Sequence, residues 1–196
     1  MSHEVHPLSD LLELQLGHSF RQSLADEPVG EVRVVAALPG DGDVLNAASE
    51  LPSINFDGNL PKFQVKAGDV LFRPRGVSTK AVYVEPTLEA CIFAAPLVRM
   101  RVLDRLRLDS WYLQWVLNSS QVQRDINAQA KGSMILMVSM QSLRNIAIPV
   151  PPMEVQQRIV EVARLQREER ALSAKLAEET QRYTEQALWA AAQKVR

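Results

Sequence analysis

Cysteine is almost absent from the sequence, because Cys91 is the only one among 196 residues. A single cysteine excludes a disulfide within the chain and a metal site built from clustered cysteines. The residues that follow Cys91, up to Ala95, are all apolar. A thiol in apolar surroundings stays protonated, so we expect Cys91 to be a buried and unreactive core residue.

Long apolar runs and targeting signals are missing as well. Apolar runs such as residues 92–97 are far shorter than the roughly 20 residues that a membrane span requires. The first residues are polar and acidic, whereas a secretory signal peptide has a basic stretch and an apolar core. These absences predict a cytoplasmic protein that does not associate with membranes.

Residues that carry catalytic or metal chemistry are scarce. The histidines are His3, His6 and His18, and they have neither a cysteine partner nor a helical His–Glu arrangement. The glycine-rich stretch at residues 40–43 contains two aspartates, whose charge would repel a phosphate group. A nucleophile elbow and an adenine methyltransferase motif are also absent. The sequence therefore predicts no catalytic residue, no metal site and no cofactor.

Excess positive charge is absent from the chain as a whole, which has a net charge of -1, but it occurs in one region. Residues 1–60 carry 2 basic and 10 acidic side chains, residues 61–145 carry 12 and 6, and residues 146–196 carry 8 and 7. A basic segment between flanks that are not basic indicates a local surface that faces phosphate groups. Ordinary solvated surface charges are the alternative interpretation.

Short apolar segments alternate with turn residues through the first hundred positions. Residues 8–16 have apolar side chains at helical spacing behind Ser9 and Asp10, either of which could cap, so a short helix is predicted there. β-Branched and apolar segments bounded by Gly and Pro predict strands at residues 32–38, 70–72, 81–84, 91–94 and 97–102. Together these strands indicate a compact β-rich region.

The apolar pattern changes to a helical period after residue 108. Asp109 or Ser110 can cap a first helix, and a second short helix follows the Asn-Ser-Ser break at residues 118–120. Trp111 and Trp115 are four residues apart, and we interpret them as packing residues rather than as stacking partners of DNA bases.

The last quarter of the chain has no glycine and no proline between residues 153 and 192. After an extended segment at residues 145–149, this stretch predicts a helix about 60 Å long. A heptad frame places apolar residues on one seam, although Arg158, Glu169, Glu179 and Gln186 also fall on it. Such a seam predicts packing against another helix or a partner protein. The predicted contact residues are Val155, Ile159, Val162, Leu165, Leu172, Leu176 and Tyr183.

The clearest family resemblance lies where the β-rich region meets the long helix. Residues 143–160, LRNIAIPVPPMEVQQRIV, look like the proline-ended strand and glutamine-pair helix of type I restriction-modification specificity subunits. Residues 66–72, followed by Arg75-Gly76, are similar to the segment before a DNA-facing loop in that family's target-recognition domain. Further matching positions are Leu11-Leu12, Gly17, Phe20-Arg21, Trp111-Tyr112-Leu113, Leu117-Asn118-Ser119 and Gly132-Ser133.

The resemblance implies a fold, a function and a set of partners. The expected fold class is α+β, with a mixed α/β target-recognition domain and a twisted β-rich core at residues 1–150. Residues 151–196 would follow as a single long coiled-coil helix. The domain would bind double-stranded DNA, and the helix would dimerise and dock a methyltransferase (modification) subunit, alongside a restriction/translocase subunit. The chain itself is expected to be a non-catalytic specificity subunit.

Candidate DNA contacts lie in the basic segment. Arginine pairs with guanine in the major groove, while serine, threonine and lysine more often bind phosphates. The main candidates belong to a loop between two predicted strands: Arg73, Arg75, Ser78, Thr79 and Lys80. A second candidate loop contains Lys131 and Ser133, and Lys62 and Lys66 are predicted phosphate contacts only because they are near in sequence.

The sequence departs from that family in length. A full specificity subunit resembles two recognition domains and two such helices, whereas this sequence has room for one of each and shows no internal repeat. We therefore expect a homodimer in which two long helices pair antiparallel. Two alternatives stay open: a scaffold or decoy that binds the methyltransferase without reading DNA, and a stand-alone dimeric DNA-binding protein.

Overall fold

The computed structural model describes residues 4–20, 30–39, 44–45, 51–76, 79–86, 88, 91–130 and 136–193. The chain divides into two compact units, residues 1–157 and residues 158–196. The helices are α1 (Leu8–Leu11), α2 (Leu60–Phe63), α3 (Ser110–Asn118), α4 (Ser120–Gln129), α5 (Met140–Asn145) and α6 (Met153–Gln193). The strands are β1 (Val5–Pro7), β2 (Leu12–Leu16), β3 (Val32–Val35), β4 (Val44–Leu45), β5 (Ser53–Ile54), β6 (Val70–Arg73), β7 (Arg75–Gly76), β8 (Lys80–Val84), β9 (Cys91–Phe93), β10 (Val98–Val102), β11 (Leu136–Met137) and β12 (Ala147–Pro149).

A five-stranded sheet forms the centre of the first unit, with the strand order β2-β10-β6-β8-β4. The first four strands pair antiparallel, and β4 is parallel to β8. Val70, Leu71 and Phe72 of β6 are all completely buried. A strand that is covered on both faces is apolar at every position, which is why this segment reads as a continuous apolar run. Strand β6 is therefore a fixed support for the loop that follows it.

A second sheet of three strands, in the order β5-β3-β9, shares a core with the first. Because side chains alternate between the two faces of a strand, each face of this sheet has its own cluster. Val35 and Phe93 pack with Leu71 of the five-stranded sheet. Val34 and Ile92 face the other way and pack in a cluster lined by phenylalanines. The mixed α/β fold with a β-rich core is therefore confirmed.

Cys91 belongs to the shared core, and none of its surface is exposed. Burial raises the pKa of its thiol, an effect that the nearby charge of Arg33 only partly offsets. The prediction that this cysteine is buried is confirmed.

The segment that opens the first unit is mostly a strand, so the helix predicted at residues 8–16 is wrong beyond Leu11. Residues 12–16 form β2, which pairs antiparallel with β10 over its whole length. Leu12 and Leu14 are buried while Glu13 is exposed, which is the two-residue period of a strand. The leucine spacing fits the period of a helix as well as that of a strand, and pairing with β10 decides in favour of the strand. Pro7 occupies the N-cap of α1, so neither Ser9 nor Asp10 has the predicted capping role.

The other predicted elements of the first unit are present. The predicted strands correspond to β3, β6, β8, β9 and β10, with ends that differ by a few residues at most. Asp109 and Ser110 are both predicted caps of the first helix, and Asp109 is the N-cap of α3. Its carboxylate accepts a hydrogen bond of 2.9 Å from the Tyr112 N–H. The Tyr112 hydroxyl donates to the Pro149 carbonyl at 2.9 Å, and burial raises the pKa of Tyr112 to about 12.

Helix α6 begins in the first unit and accounts for the described part of the second. Its 41 residues confirm the long helix predicted from the absence of glycine and proline. Most large apolar side chains along it are exposed, for example 56% for Val162 and 69% for Leu172 and Leu176, whereas Ile159 and Val160 near its start are half-buried. No helix among the described residues is both long and apolar enough to cross a membrane.

Candidate nucleic-acid interface

The main candidate loop connects two strands at the centre of the five-stranded sheet. Strands β6 and β8 pair antiparallel, and Arg73 opposite Lys80 is their last pair before the connection. Both of these side chains are half-buried, while Arg75 is exposed. Directly opposed residues lie on the same face of a sheet, so two positive groups stand side by side at this point. We call the described residues of this connection, residues 74–76 and 79, the recognition loop.

The first half of the recognition loop is held by a strand from a distant part of the sequence. Strand β7 pairs antiparallel with β11, with Arg75 opposite Met137 and Gly76 opposite Leu136. The Val138 N–H adds a hydrogen bond of 2.9 Å to the Pro74 carbonyl. Gly76 has a φ of 140°, a conformation that side-chain-bearing residues rarely adopt. This pairing fixes the backbone on either side of the exposed Arg75 side chain.

The second candidate loop of the sequence precedes β11 along the chain. Lys131 and Ser133 lie outside the described residues, as does Ser78. The chain that leaves Ser133, however, enters β11 three residues later, and β11 pairs with β7. The segment that contains Lys131 therefore leads directly to the strand beside Arg75.

The second half of the recognition loop is held by side chains of α3 and α4. The Thr79 hydroxyl donates to Gln123 Oε1 at 2.6 Å, and Thr79 is only 7% exposed. Asn118 pairs with the backbone of Ala81 through both halves of its amide. Thr79 thus contacts α4, while Arg75 is the exposed residue among those of the loop that the structure describes.

Lys62 and Lys66 lie at the other end of β6. Both precede this strand, whereas the recognition loop follows it, and a strand of four residues spans about 13 Å. Both lysines are exposed. The Lys62 ammonium lies 5.4 Å from the centre of the Phe63 ring. The structure does not bring these two lysines together with Arg75.

Two arginines of the basic segment are used inside the domain. Arg99 is 2% exposed and binds the Glu13 carboxylate at 2.7 Å, together with two backbone carbonyls. Arg101 makes two hydrogen bonds, of 2.7 and 2.8 Å, to the fully buried carboxylate of Asp69. The hydrogen bonds to Asp69 are the main reason why the pKa of Arg101 is raised. The charges of Arg99 and Arg101 therefore hold parts of the domain together. The net charge of residues 61–145 could not reveal this use.

The aromatic residues of α3 pack within the domain, as predicted. Trp111 stacks on Tyr83 of β8, with ring centres 3.9 Å apart. Trp115 lies 5.7 Å from Tyr112 and is 36% exposed. The contact of Trp111 with Tyr83 attaches α3 to the strand that carries Lys80.

Three supporting residues were not identified from the sequence: Gln114, Asn118 and Gln123. Gln114 lies on the buried face of α3, where it is only 6% exposed. A polar side chain on an otherwise apolar helix face is a usable signal, because buried polar groups are almost always hydrogen-bonded. Gln114 and Asn118 are also four residues apart and thus on the same face.

The features described above are typical of a protein that recognises and assembles with other molecules. A rigid sheet presents a basic loop, a long helix exposes an apolar face, and the described residues contain no group of three or more side chains arranged to hold a metal ion. Such an arrangement is suited to recognition and assembly.

Comparison with known proteins identifies the family. Residues 3–179 match the model of the type I restriction modification DNA specificity domain. The match covers most of the chain, and the chain therefore belongs to this family, as the resemblance predicted. This is a family of DNA-recognition subunits and not of enzymes, in agreement with the expected lack of catalysis. No curated protein matches the sequence significantly.

Solved structures with the same fold include specificity subunits. The chain is similar to the type I restriction-modification S subunit from M. genitalium, with a TM-score of 0.59 and 18% identity over 86% of this chain and 40% of that one. It is also similar to the HsdS subunit from Thermoanaerobacter tengcongensis, with a TM-score of 0.58 and 20% identity over 87% of this chain and 38% of that one. A third similar chain comes from a study of complex assembly and conformational transition of the type I R-M system. Its TM-score is 0.60, with 20% identity over 89% of this chain and 41% of that one. The present chain thus spans about two fifths of the length of these structures.

Proposed function

We propose that the chain reads one half of a bipartite DNA target within a type I restriction-modification system. Residues 1–150 would bind the DNA, and residues 151–196 would pair with a second helix and dock the modification subunit. The observation that carries the proposal is the recognition loop, where exposed Arg75 projects from backbone that β6, β8 and β11 hold in place. Family membership and the assemblies named for the similar structures support it.

The charges of the recognition loop favour a nucleic-acid ligand. Arg73 and Lys80 are neighbours across the pair of β6 and β8, and Arg75 follows two residues after Arg73. Such a local concentration of basic residues attracts phosphate groups. Arg75 is exposed on a constrained backbone, which suits bidentate pairing with guanine. We assign phosphate contact to Lys80 and base contact to Arg75, with Arg73 able to serve either role.

A separate reading subunit fits the chemistry of DNA methylation. An enzyme that methylates adenine must extrude the base from the stack, and it gains when another protein holds the flanking sequence. In this proposal the methyltransferase and the restriction/translocase subunit supply all catalysis. The present chain supplies only position along the DNA.

The first prediction concerns Arg73 and Arg75. Replacing each by Ala should weaken specific DNA binding by about 1–3 kcal/mol and leave the melting temperature nearly unchanged. The target motif can be mapped by methylome sequencing of a host that carries this gene with its methyltransferase. Affinity is then measured on a duplex with that motif, by gel retardation over a range of salt concentrations.

Arg105→Ala is the matched control, because it removes one exposed positive charge near the start of β6. It should change affinity far less than Arg75→Ala. Equal affinity of the wild type and the Arg73/Arg75 double variant would exclude the loop from the site. A chain that binds the methyltransferase but never retards duplex DNA would instead be a scaffold or decoy, and one that binds DNA alone and ignores the methyltransferase would be a stand-alone DNA-binding protein.

The second part of the proposal is a homodimer formed by α6. The predicted contact residues beyond Val155 include Val162, Leu165 and Tyr183, which are 56%, 59% and 67% exposed. A row of exposed apolar side chains at heptad spacing is stabilised when a second helix covers it. Two copies about a two-fold axis would carry two identical recognition domains, so the DNA target would be a palindrome in two parts.

The second prediction tests this helix pairing. Leu172→Glu combined with Leu176→Glu should convert a dimer into a monomer in light scattering, because two charged residues would replace apolar residues of the seam. Ala174→Glu combined with Ala177→Glu adds the same charge at positions off the seam and should leave the dimer intact. A wild-type chain that is monomeric at high micromolar concentration would contradict the homodimer, as would a methylated motif with two unrelated halves.

A further inference from the structure

The edge of β8 next to the recognition loop is completed by a side chain in place of a strand. Among the residues that the structure describes, strand β4 pairs with β8 at Tyr83 and Val84 only. Beyond that pairing, the Ala81 N–H donates to Asn118 Oδ1 at 2.9 Å, and Asn118 Nδ2 donates to the Ala81 carbonyl at 2.7 Å. A side-chain amide with one donor and one acceptor reproduces the two hydrogen bonds that a neighbouring strand would make.

Two glutamines extend this contact toward the loop. Gln114 Nε2 donates to the same Ala81 carbonyl at 3.3 Å. Gln123 accepts the Thr79 hydroxyl at 2.6 Å, and its own Nε2 donates to the Leu117 carbonyl at 2.7 Å. Gln123 therefore links the last residue of the recognition loop to the end of α3. The other end of the loop is held independently by β11.

We propose that Asn118 and Gln123 are positioning residues that set the sequence discrimination of the recognition loop. The proposal rests on the function proposed above. Contacts to base edges require a side chain to be held within roughly 0.5 Å of its productive position. Phosphate contacts tolerate larger shifts and carry no sequence information. Arg73 lies opposite Lys80 in the pair of β6 and β8, so loosening residues 79–81 would shift the support of a candidate base contact. The phosphate contact assigned to Lys80 tolerates such a shift, so discrimination between DNA sequences should fall more than binding to DNA in general.

The experiment measures discrimination directly. The full-length wild type and variants select from a pool of randomised DNA duplexes, and affinity is then measured for the wild-type motif and for a scrambled duplex. Asn118→Ala should lower the ratio of these affinities by about tenfold, the size of one lost base contact. Affinity for the scrambled duplex and its salt dependence should stay unchanged. Gln123→Ala, at a half-exposed position, should act in the same direction and serves if Asn118→Ala does not fold.

Hydrogen exchange gives a second measurement on the same variants. The Ala81 amide should exchange at least about tenfold faster in Asn118→Ala, since its acceptor is lost. Asn127→Ala is the matched control, because Asn127 is an exposed asparagine on the neighbouring helix. Val34→Ala is the control for stability, because Val34 is fully buried in the other sheet. Val34→Ala should lower the melting temperature without changing the affinity ratio.

The outcomes separate this inference from the function on which it rests. A wild type that enriches no motif overturns the proposed function itself. A wild type that enriches a motif, with an unchanged affinity ratio in both Asn118→Ala and Gln123→Ala, overturns only the positioning role. A fall in the ratio for Val34→Ala as large as that for Asn118→Ala would assign the effect to stability and likewise overturn it.

Discussion

The two units of the chain treat apolar side chains in opposite ways. In the first unit, Leu71, Phe72 and Leu113 are completely buried, and they lie on elements that contact several others. In the second unit, Leu172 and Leu176 are each 69% exposed. A fully buried leucine contributes about 1.5–3 kcal/mol, while an exposed one contributes little until a partner covers it. The first unit thus covers its own apolar side chains, whereas the helix of the second unit leaves apolar side chains exposed.

The units differ in the same way in their polar groups. The first unit buries charged and amide side chains that make several hydrogen bonds each, such as Asp69 and Gln156. Among the described residues of the second unit, no side chain is buried. Polar networks of this kind fix one geometry, because a half-satisfied group is costly. Such polar networks are therefore found in the first unit, which is the unit proposed to bind DNA.

The largest expected effect comes from the same substitution, leucine to alanine, made once in each unit. Leu71→Ala should lower the free energy of unfolding of the first unit by about 2–5 kcal/mol, since it opens a cavity in the shared core. Leu172→Ala should change it by no more than about 0.5 kcal/mol. Urea denaturation at low protein concentration measures both. A Trp189→Phe background makes Trp111 and Trp115 report on the first unit alone.

A comparable loss in both variants would contradict the contrast. It would mean that the apolar face of the helix is covered within the same chain rather than by a partner. The result would also remove the reason to expect association through Leu172 and Leu176.

Much of this fold followed from local patterns. The strands at β3, β6 and β8 are short apolar segments between turn residues, and the helix α6 is a long stretch without glycine or proline. Both signals are local, because backbone preference and side-chain period act within a few residues. The recognition loop was predicted for the same reason, since it lies between two such strands.

The remaining features depend on contacts between distant residues. Strands β7 and β11 have two residues each, too few for a periodic signal, and about 60 positions separate them. The use of Arg99 and Arg101 inside the domain likewise depends on where Glu13 and Asp69 are brought by folding. Residues 8–16 fit both a helix and a strand, and only pairing with β10 resolves them. Composition and spacing cannot report these long-range contacts.

The contrast between buried and exposed polar groups is sharpest at two neighbouring glutamines in the first turns of α6. Gln156 is completely buried, and its Oε1 accepts the Asp109 N–H at 2.9 Å. Its Nε2 donates to the carbonyls of Arg107 and Pro151, each at 2.8 Å. Gln157, the next residue, is exposed. The resemblance to the family included this glutamine pair, and the structure gives the two residues different roles.

A smaller effect than that of Leu71→Ala is therefore expected from Gln156→Ala, with Gln157→Ala as its matched control. Gln156→Ala leaves one donor and two acceptors near Asp109 without their partner, so it should lower the free energy of unfolding of the first unit by about 1–3 kcal/mol. Gln157→Ala should change it by less than about 0.5 kcal/mol. Both follow from the same urea denaturation in the Trp189→Phe background. Equal effects of the two substitutions would show that water replaces the Gln156 contacts at no net loss, and the start of α6 would then be held by apolar packing alone.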